Sequence, residues 1–339
     1  MHEDINVSLP PLKEGDLIGN GTYRIVRDTE NAGGFGRIYR AEIVKSVAKR
    51  NTGDIVALKE FHVREFMDSS CSSLASLGCS QMTGRKYIEI LLKQFQIEST
   101  LLLELSRQRD CHVPQVYQGV QNDQGRYYYV MNYIDGPTLT NVITKDGAME
   151  EAVAINYIAQ IAKVLYKSHA WDLVHNDISP NNIMLDNGVA VLVDFGNARG
   201  YANILLRDGG SEEMIQAVEN IGGMISDIGI GTPCFAAPVE GFSGKPQGDI
   251  YALAATLYFL LTGSKPPMMG EQSRTHEKIM SRLAEKHVSE TTTKAILHAM
   301  TPSLKDCTQS ARQFLLELPK DIVFDTLLNY NDYDYNRRR

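Results

Sequence analysis

Cysteine is scarce in this chain. Its five cysteines, at positions 71, 79, 111, 234 and 307, form no C-x-x-C, and the odd number argues against a disulfide framework. Reduced, intracellular thiols are expected. Long hydrophobic runs are missing as well. The longest near-continuous one, Tyr251 to Leu261, is too short to span a bilayer. No charged segment followed by an apolar one opens the chain, so no secretory signal is expected. Nor is there an excess of positive charge. A net charge of −7 provides no basic field for nucleic acid or an anionic membrane. The three arginines at 337–339 read as a solvated tail. These absences leave a cytoplasmic protein, with neither nucleic acid nor a membrane expected as a partner.

What is present is material for a large interior. With 339 residues, 43% of them hydrophobic, the chain can bury one large core or two lobes. Residues 1–14 are polar, contain Pro10-Pro11, and read as an extended lead-in. Alternation of apolar and polar residues predicts strands over Tyr23 to Val26, Ile38 to Ile43 and Ile55 to Phe61. Asp68 to Gly84, rich in Ser, Gly and Cys, has no helical stripe and reads as a flexible insertion. A helix follows over Lys86 to Leu105, where Ile88, Leu91, Leu92, Phe95, Leu102 and Leu105 recur at three- and four-residue spacing. Glu98 falls within that stripe, and a carboxylate turned toward a core needs a partner. Glu104, on a neighbouring face, is the rival for that role. The strand-like run Arg126 to Ile134 is broken by Asp135-Gly136-Pro137, and Glu150 to His169 makes a second helix.

The most informative stretch is V-H-N-D-I-S-P-N-N-I-M-L-D-N-G-V-A-V-L-V-D-F, residues 174–195. Asn187-Gly188 is a strong hairpin signal, because both residues tolerate the positive φ of a type I′ turn. Asn182 and Asp194, each six residues from Gly188, then reach the same open end. An amide oxygen and a carboxylate brought together can share a hard divalent cation such as Mg²⁺. Asp177, five residues before Asn182, adds a second carboxylate, and the set suits phosphoryl transfer.

Several of these segments carry a family resemblance. H-N-D-I-S-P-N-N at 175–182 resembles the catalytic loop of protein kinases, and D-F-G at 194–196 their metal-binding motif. N-A-G-G-F-G-R-I-Y at 31–39 resembles the loop that covers the phosphates, and V-A-L-K at 56–59 the strand bearing the nucleotide lysine. G-T-P-C-F-A-A-P-V-E at 231–240 resembles the end of an activation segment. D-I-Y-A-L-A-A-T-L-Y-F-L-L-T-G at 249–263 resembles the central helix of the C-terminal lobe. The landmarks run in order over about residues 15–320, in phrasing most similar to bacterial serine/threonine kinases of the eukaryotic type.

The resemblance implies a two-lobed α+β protein-kinase-like fold. It has a β-rich N-lobe at 15–134, a mostly helical C-lobe at 135–325, a polar tail from 326, and ATP in the cleft between the lobes. It implies ATP and Mg²⁺ as cofactors, a protein as substrate, and Asp177 as the catalytic carboxylate. Lys59, oriented by Glu98, would hold the phosphates under Gly33, Gly34 and Gly36. Ile38, Ala57, Met131 and Met184 match adenine-pocket positions. Asn182 and Asp194 would bind the metal, supported by His175, Thr232, Asp249 and Glu240.

Two departures stand out. Asn176 replaces the arginine that pairs with a phosphorylated activation loop, and Ser179 replaces the lysine set against the γ-phosphate. Arg199 and Arg207 are candidates to restore that charge, and Lys305 is the candidate partner of Glu240. Two rival readings remain at this stage: a pseudokinase serving as an ATP-binding module, and a small-molecule phosphotransferase.

Overall fold

The computed structural model describes residues 9–33, 36–47, 50–62, 84–107, 110–200, 212, 216, 232, 234–237, 241–267 and 272–323. The lead-in before residue 9, the insertion up to residue 83, Gly34, Arg207, Glu240 and the polar tail lie outside the described residues. The chain divides into two compact units, one of Met1–Ile134 with Ile204–Met224 and the other of Asp135–Asn203 with Ile225–Arg339.

The first unit holds an antiparallel sheet in the order β1-β2-β3-β4-β6-β5. Its strands are β1 (Leu17–Ile18), β2 (Tyr23–Gly33), β3 (Gly36–Ile43), β4 (Ile55–Phe61), β5 (Val116–Asp123) and β6 (Arg126–Asn132). The strand expected over Tyr23 to Val26 thus continues to Gly33, which pairs with Gly36.

Pairing parity sorts the side chains onto two faces, because directly paired residues share a face and neighbours alternate. Tyr39, Ala41, Val56, Leu58, Tyr128 and Val130 fall on one face and pack with Leu12, Ile18, Tyr23 and Ile25 into a core. Glu60, on that same face, is 4% exposed and satisfied by Arg126 Nη1 and the Tyr39 hydroxyl. Burial and the Glu60 charge push the Tyr39 phenol far above its ordinary pKa, so it stays a donor to that carboxylate.

The opposite face carries Ile38, Ala57, Lys59, Tyr129 and Met131, through the pairs Ile38–Lys59, Lys59–Tyr129 and Ala57–Met131. Helix α1 (Gly84–Ser106) belongs to this unit and buries Ile88, Leu91, Leu92, Phe95, Leu102 and Leu105. That burial follows the stripe read from the sequence.

The second unit is mostly helical: α2 (Leu139–Asp146), α3 (Glu151–His169), α4 (Pro246–Thr262), α5 (Gln272–Glu285), α6 (Glu290–Ala299) and α7 (Ala311–Glu317). Helix α4 starts with Pro at its first turn and stops at Gly263 in the left-handed conformation, φ 67°. Every residue from Asp249 to Thr262 is buried, as befits a helix that is apolar all round. It packs against α3 and α6.

A hairpin, β7 (Ile183–Asp186) and β8 (Val189–Leu192), follows the catalytic-loop sequence. Asn187 and Gly188 both take positive φ, 49° and 83°, as the type I′ reading requires. The break after β6 runs directly over β7. Pro137 O accepts from Leu185 N, and a Cβ on Gly136 would sit 1.5 Å from Leu185 O. Only glycine fits there.

Candidate functional site

In the first unit the site is a buried ion pair. Lys59 Nζ lies 2.7 Å from Glu98 Oε1, with the two side chains 7% and 4% exposed. The rival Glu104 instead pairs with Arg107 at the surface. Tyr129 donates its hydroxyl to the same Glu98 oxygen at 3.2 Å, and the Phe95 ring packs on the Tyr129 ring at 5.1 Å.

Gly36 lies close beside this pair, where a Cβ would make tight contacts with Lys59 Cε at 3.0 Å and Glu60 O at 3.2 Å. Ile38, Ala57 and Met131 share the sheet face with Lys59, and Gly33 ends β2 opposite Gly36. An apolar pair of similar volume would commonly serve stability as well as a buried ion pair does.

The second unit centres on the carboxylate of Asp177. Its Oδ1 accepts from Thr232 N at 3.0 Å and Thr232 Oγ1 at 3.1 Å. Its Oδ2 accepts from Asn182 Nδ2 at 2.9 Å and Asn197 Nδ2 at 3.3 Å. A carboxylate oxygen only accepts, so both amides must turn their nitrogens to it.

Asn182 Nδ2 also reaches Asp177 O at 2.8 Å, which leaves the amide oxygen of Asn182 as the end available to a cation. Asp194 sits at φ 61°, a sparsely populated conformation for a residue other than glycine, and its Oδ1 accepts from Gly196 N at 3.3 Å. Met184 lies in this unit, in β7, bridged to Thr138.

The register corrects one expectation. Ile183 pairs with Leu192, and Val193 N donates to Asn182 O, so the residue directly across from Asn182 is Val193 rather than Asp194. The hairpin is centred between Asn187 and Gly188, not on Gly188. Asp194 lies one residue further along the chain, beyond the end of β8, at its positive φ.

The supporting residues hold the loop from behind. Asp249 accepts from the backbone N–H of His175 and of Asn176, both at 2.8 Å, and contacts His169 Nε2 at 2.9 Å. His175 is fully buried against the Phe195 ring at 4.6 Å, and its Nδ1 faces Asp177 N at 3.3 Å. Those contacts describe a packed scaffold residue.

Asn176, at φ 62°, donates to Asn197 O at 3.2 Å and accepts from Gly244 N at 2.9 Å. Arg199 pairs its backbone with Val174, and its guanidinium lies 3.1 Å from where a Cβ of Gly244 would be. Ser179 is fully buried. Lys305 is exposed.

Sequence reading missed Tyr129, His169 and Asn197. Tyr129 could have been found from parity, two residues before Met131 in one strand. Asn197 follows D-F-G directly, but nothing in the spacing turns its amide toward Asp177.

A family model described as a protein kinase domain matches residues 32–321. Serine/threonine-protein kinase PknA of Nostoc sp. is 26% identical over 305 residues, covering 89% of this chain and 47% of that protein. Serine/threonine-protein kinase C of Synechocystis sp. is 27% identical over 283 residues, covering 83% and 46%. PknB of Mycobacterium tuberculosis is 36% identical over 147 residues, covering 42% and 21%. The chain thus spans about half the length of the first two relatives and less of the third. Among solved structures, Rad53 1–466 in complex with AMP-PNP superposes with a TM-score of 0.56 at 16% identity, covering 91% of this chain and 66% of that one. That likeness extends to the two-lobed α+β fold.

Proposed function

The chain belongs to the protein kinase family, and on that premise we propose that it transfers the γ-phosphoryl group of ATP to serine or threonine hydroxyls of a protein substrate. The observation that carries this reading is the Asp177 carboxylate, aimed by bonds from Thr232 on one oxygen and two amides on the other. A module that only bound nucleotide would need no such aim.

In this reading residues 15–134 supply the nucleotide contacts. Lys59, held by Glu98, binds the α- and β-phosphates, and the backbone of Gly33, Gly34 and Gly36 covers them. Ile38, Ala57 and Met131 contact the adenine from this unit, and Met184, from the other unit, is the fourth adenine-contact residue in this reading. Residues 135–325 supply the transfer residues. Asp177 orients the acceptor hydroxyl and takes its proton as the oxygen attacks the γ-phosphorus. The bond from that phosphorus to the β–γ bridging oxygen breaks, and ADP leaves.

The donors fit Mg²⁺. Asn182 offers its amide oxygen because its nitrogen is committed to Asp177, and Asp194 offers a carboxylate. Magnesium favours such hard oxygens, few from the protein and the rest from phosphate and water. Bound there, it supplies charge neutralisation at the β- and γ-phosphates. The domain works in the cytoplasm, where ATP is available. Among the described residues no helix is long and apolar enough to cross a membrane.

The test is incubation of the protein with radiolabelled ATP, Mg²⁺ and a generic acceptor protein, followed by acid hydrolysis of the product. Label in phosphoserine or phosphothreonine is expected. ATP binding without any label in the acceptor would favour the ATP-binding module instead.

A further inference from the structure

Among the described residues four hydrogen bonds hold the Asp177 carboxylate, and none of the four comes from a charged donor. Two arrive from Thr232 and one from Asn182, residues already expected at the site. The fourth comes from Asn197, which no reading of the sequence assigned. We propose that Asn197 is a positioning residue for Asp177, fixing the direction in which its carboxylate faces. The inference rests on the kinase reading and deepens it.

The geometry specifies both the side chain and its support. Asn197 Nδ2 reaches Asp177 Oδ2 at 3.3 Å, alongside Asn182 Nδ2 at 2.9 Å, so one carboxylate oxygen sits between two amide nitrogens. Thr232 occupies the other oxygen from its own side. Without Asn197 the carboxylate is held on fewer sides and can turn about its Cβ–Cγ bond.

Asn197 is itself anchored. Its carbonyl accepts from Asn176 Nδ2 at 3.2 Å, while Asn176 Oδ1 accepts from Gly244 N at 2.9 Å. Donor and acceptor partners at the two ends fix the orientation of the Asn176 amide. Asn176 is anchored in turn by its backbone N–H on Asp249 Oδ1 at 2.8 Å. A chain of neutral amides therefore runs from the buried Asp249 through Asn176 and Asn197 to Asp177. Fixed dipoles of this kind orient a reacting carboxylate without placing a full charge beside it.

Asn176 thus has a place in the network that needs no phosphate, although it stands where the resemblance calls for an arginine. Ser179, fully buried, likewise has no long side chain to deliver a cation.

The experiment compares wild type with Asn197→Ala, Asn197→Asp, Asn176→Ala and the double alanine variant. It measures kcat, KM for ATP and Tm. Asn197→Ala should lower kcat about tenfold, with KM for ATP within twofold and Tm within a few degrees. Asn197→Asp, which sets a second carboxylate against the first, should lower kcat further than alanine does.

A side chain that only filled space would not distinguish the two in that order. The double variant should lose little beyond Asn197→Ala alone, because Asn176 acts on Asp177 through Asn197.

An unchanged kcat in Asn197→Ala, equal losses in the alanine and aspartate variants, or a loss explained by lowered Tm would overturn the inference while leaving the kinase reading intact. A wild-type chain without transfer would remove the reading, and the inference with it.

Discussion

Asp177→Asn should leave less than a tenth of wild-type kcat, and general-base losses of this kind commonly reach 10²–10⁴-fold. A tenfold loss alone raises the barrier by about 1.4 kcal/mol. Two effects act together. The variant cannot accept the proton of the acceptor hydroxyl, and it presents an NH₂ to a set of partners that are all donors: Thr232 N, Thr232 Oγ1, Asn182 Nδ2 and Asn197 Nδ2.

ATP affinity should stay within about threefold, because Asp177 acts on the acceptor. Asn182 also keeps its bond to the Asp177 carbonyl. Kinetics with the acceptor and calorimetry with ATP separate the two effects. A variant retaining more than about a tenth of kcat would remove Asp177 from the catalytic role.

Removing Lys59 should have the largest effect on nucleotide binding. In wild type, ATP with Mg²⁺ should raise Tm, since a ligand that binds only the native state stabilises it by about 2.7 kcal/mol at roughly 100 times Kd. EDTA should abolish most of that shift, and Lys59→Met should abolish nearly all of it. Lys59→Met has a second consequence. It removes the cation beside the Glu98 carboxylate, 4% exposed as a side chain, and leaves the bond from the Tyr129 hydroxyl in place. Breaking one side of a buried pair costs about 3–5 kcal/mol.

Lys59→Met combined with Glu98→Gln removes that buried charge. It should recover most of the lost stability and still show no ATP shift. Calorimetric melting of the three proteins with and without ATP checks this. An undiminished ATP shift in the double variant would show that the pair does not hold the nucleotide.

How much of this was legible in the sequence depends on whether the signal was local. Helix α4 was readable through the resemblance of residues 249–263 to the central helix of a kinase C-terminal lobe, and Asn187-Gly188 because both residues tolerate positive φ. Glu98 was readable as a carboxylate inside an apolar stripe, although naming Lys59 as its partner needed the family resemblance. The Asn182–Asp194 pairing was misplaced by one residue. Counting from Gly188 ignores that a two-residue turn is centred between its residues, and the neighbour across the ladder is Val193.

Asn197 and His169 were not legible as site residues, and Tyr129 only through strand parity with Met131. Each meets its partner through space, at separations of 20, 80 and 31 residues. An asparagine after D-F-G has no periodicity that reveals which carboxylate it serves. The role of Asn176 was half legible. Its lack of charge could be read, but its bonds to Asn197 and Gly244 could not.

Phosphoryl transfer by a catalytic loop set by neutral groups is tested by the time course of phosphate-free enzyme. Protein treated with phosphatase, and verified by mass as unphosphorylated, is mixed with Mg²⁺, labelled ATP and an acceptor protein. Asn176 offers no positive charge to a phosphorylated segment, so product should accumulate linearly from the first time point, well above the Asp177→Asn baseline. A lag that disappears on preincubation with ATP, or product no greater than that baseline, would contradict the account.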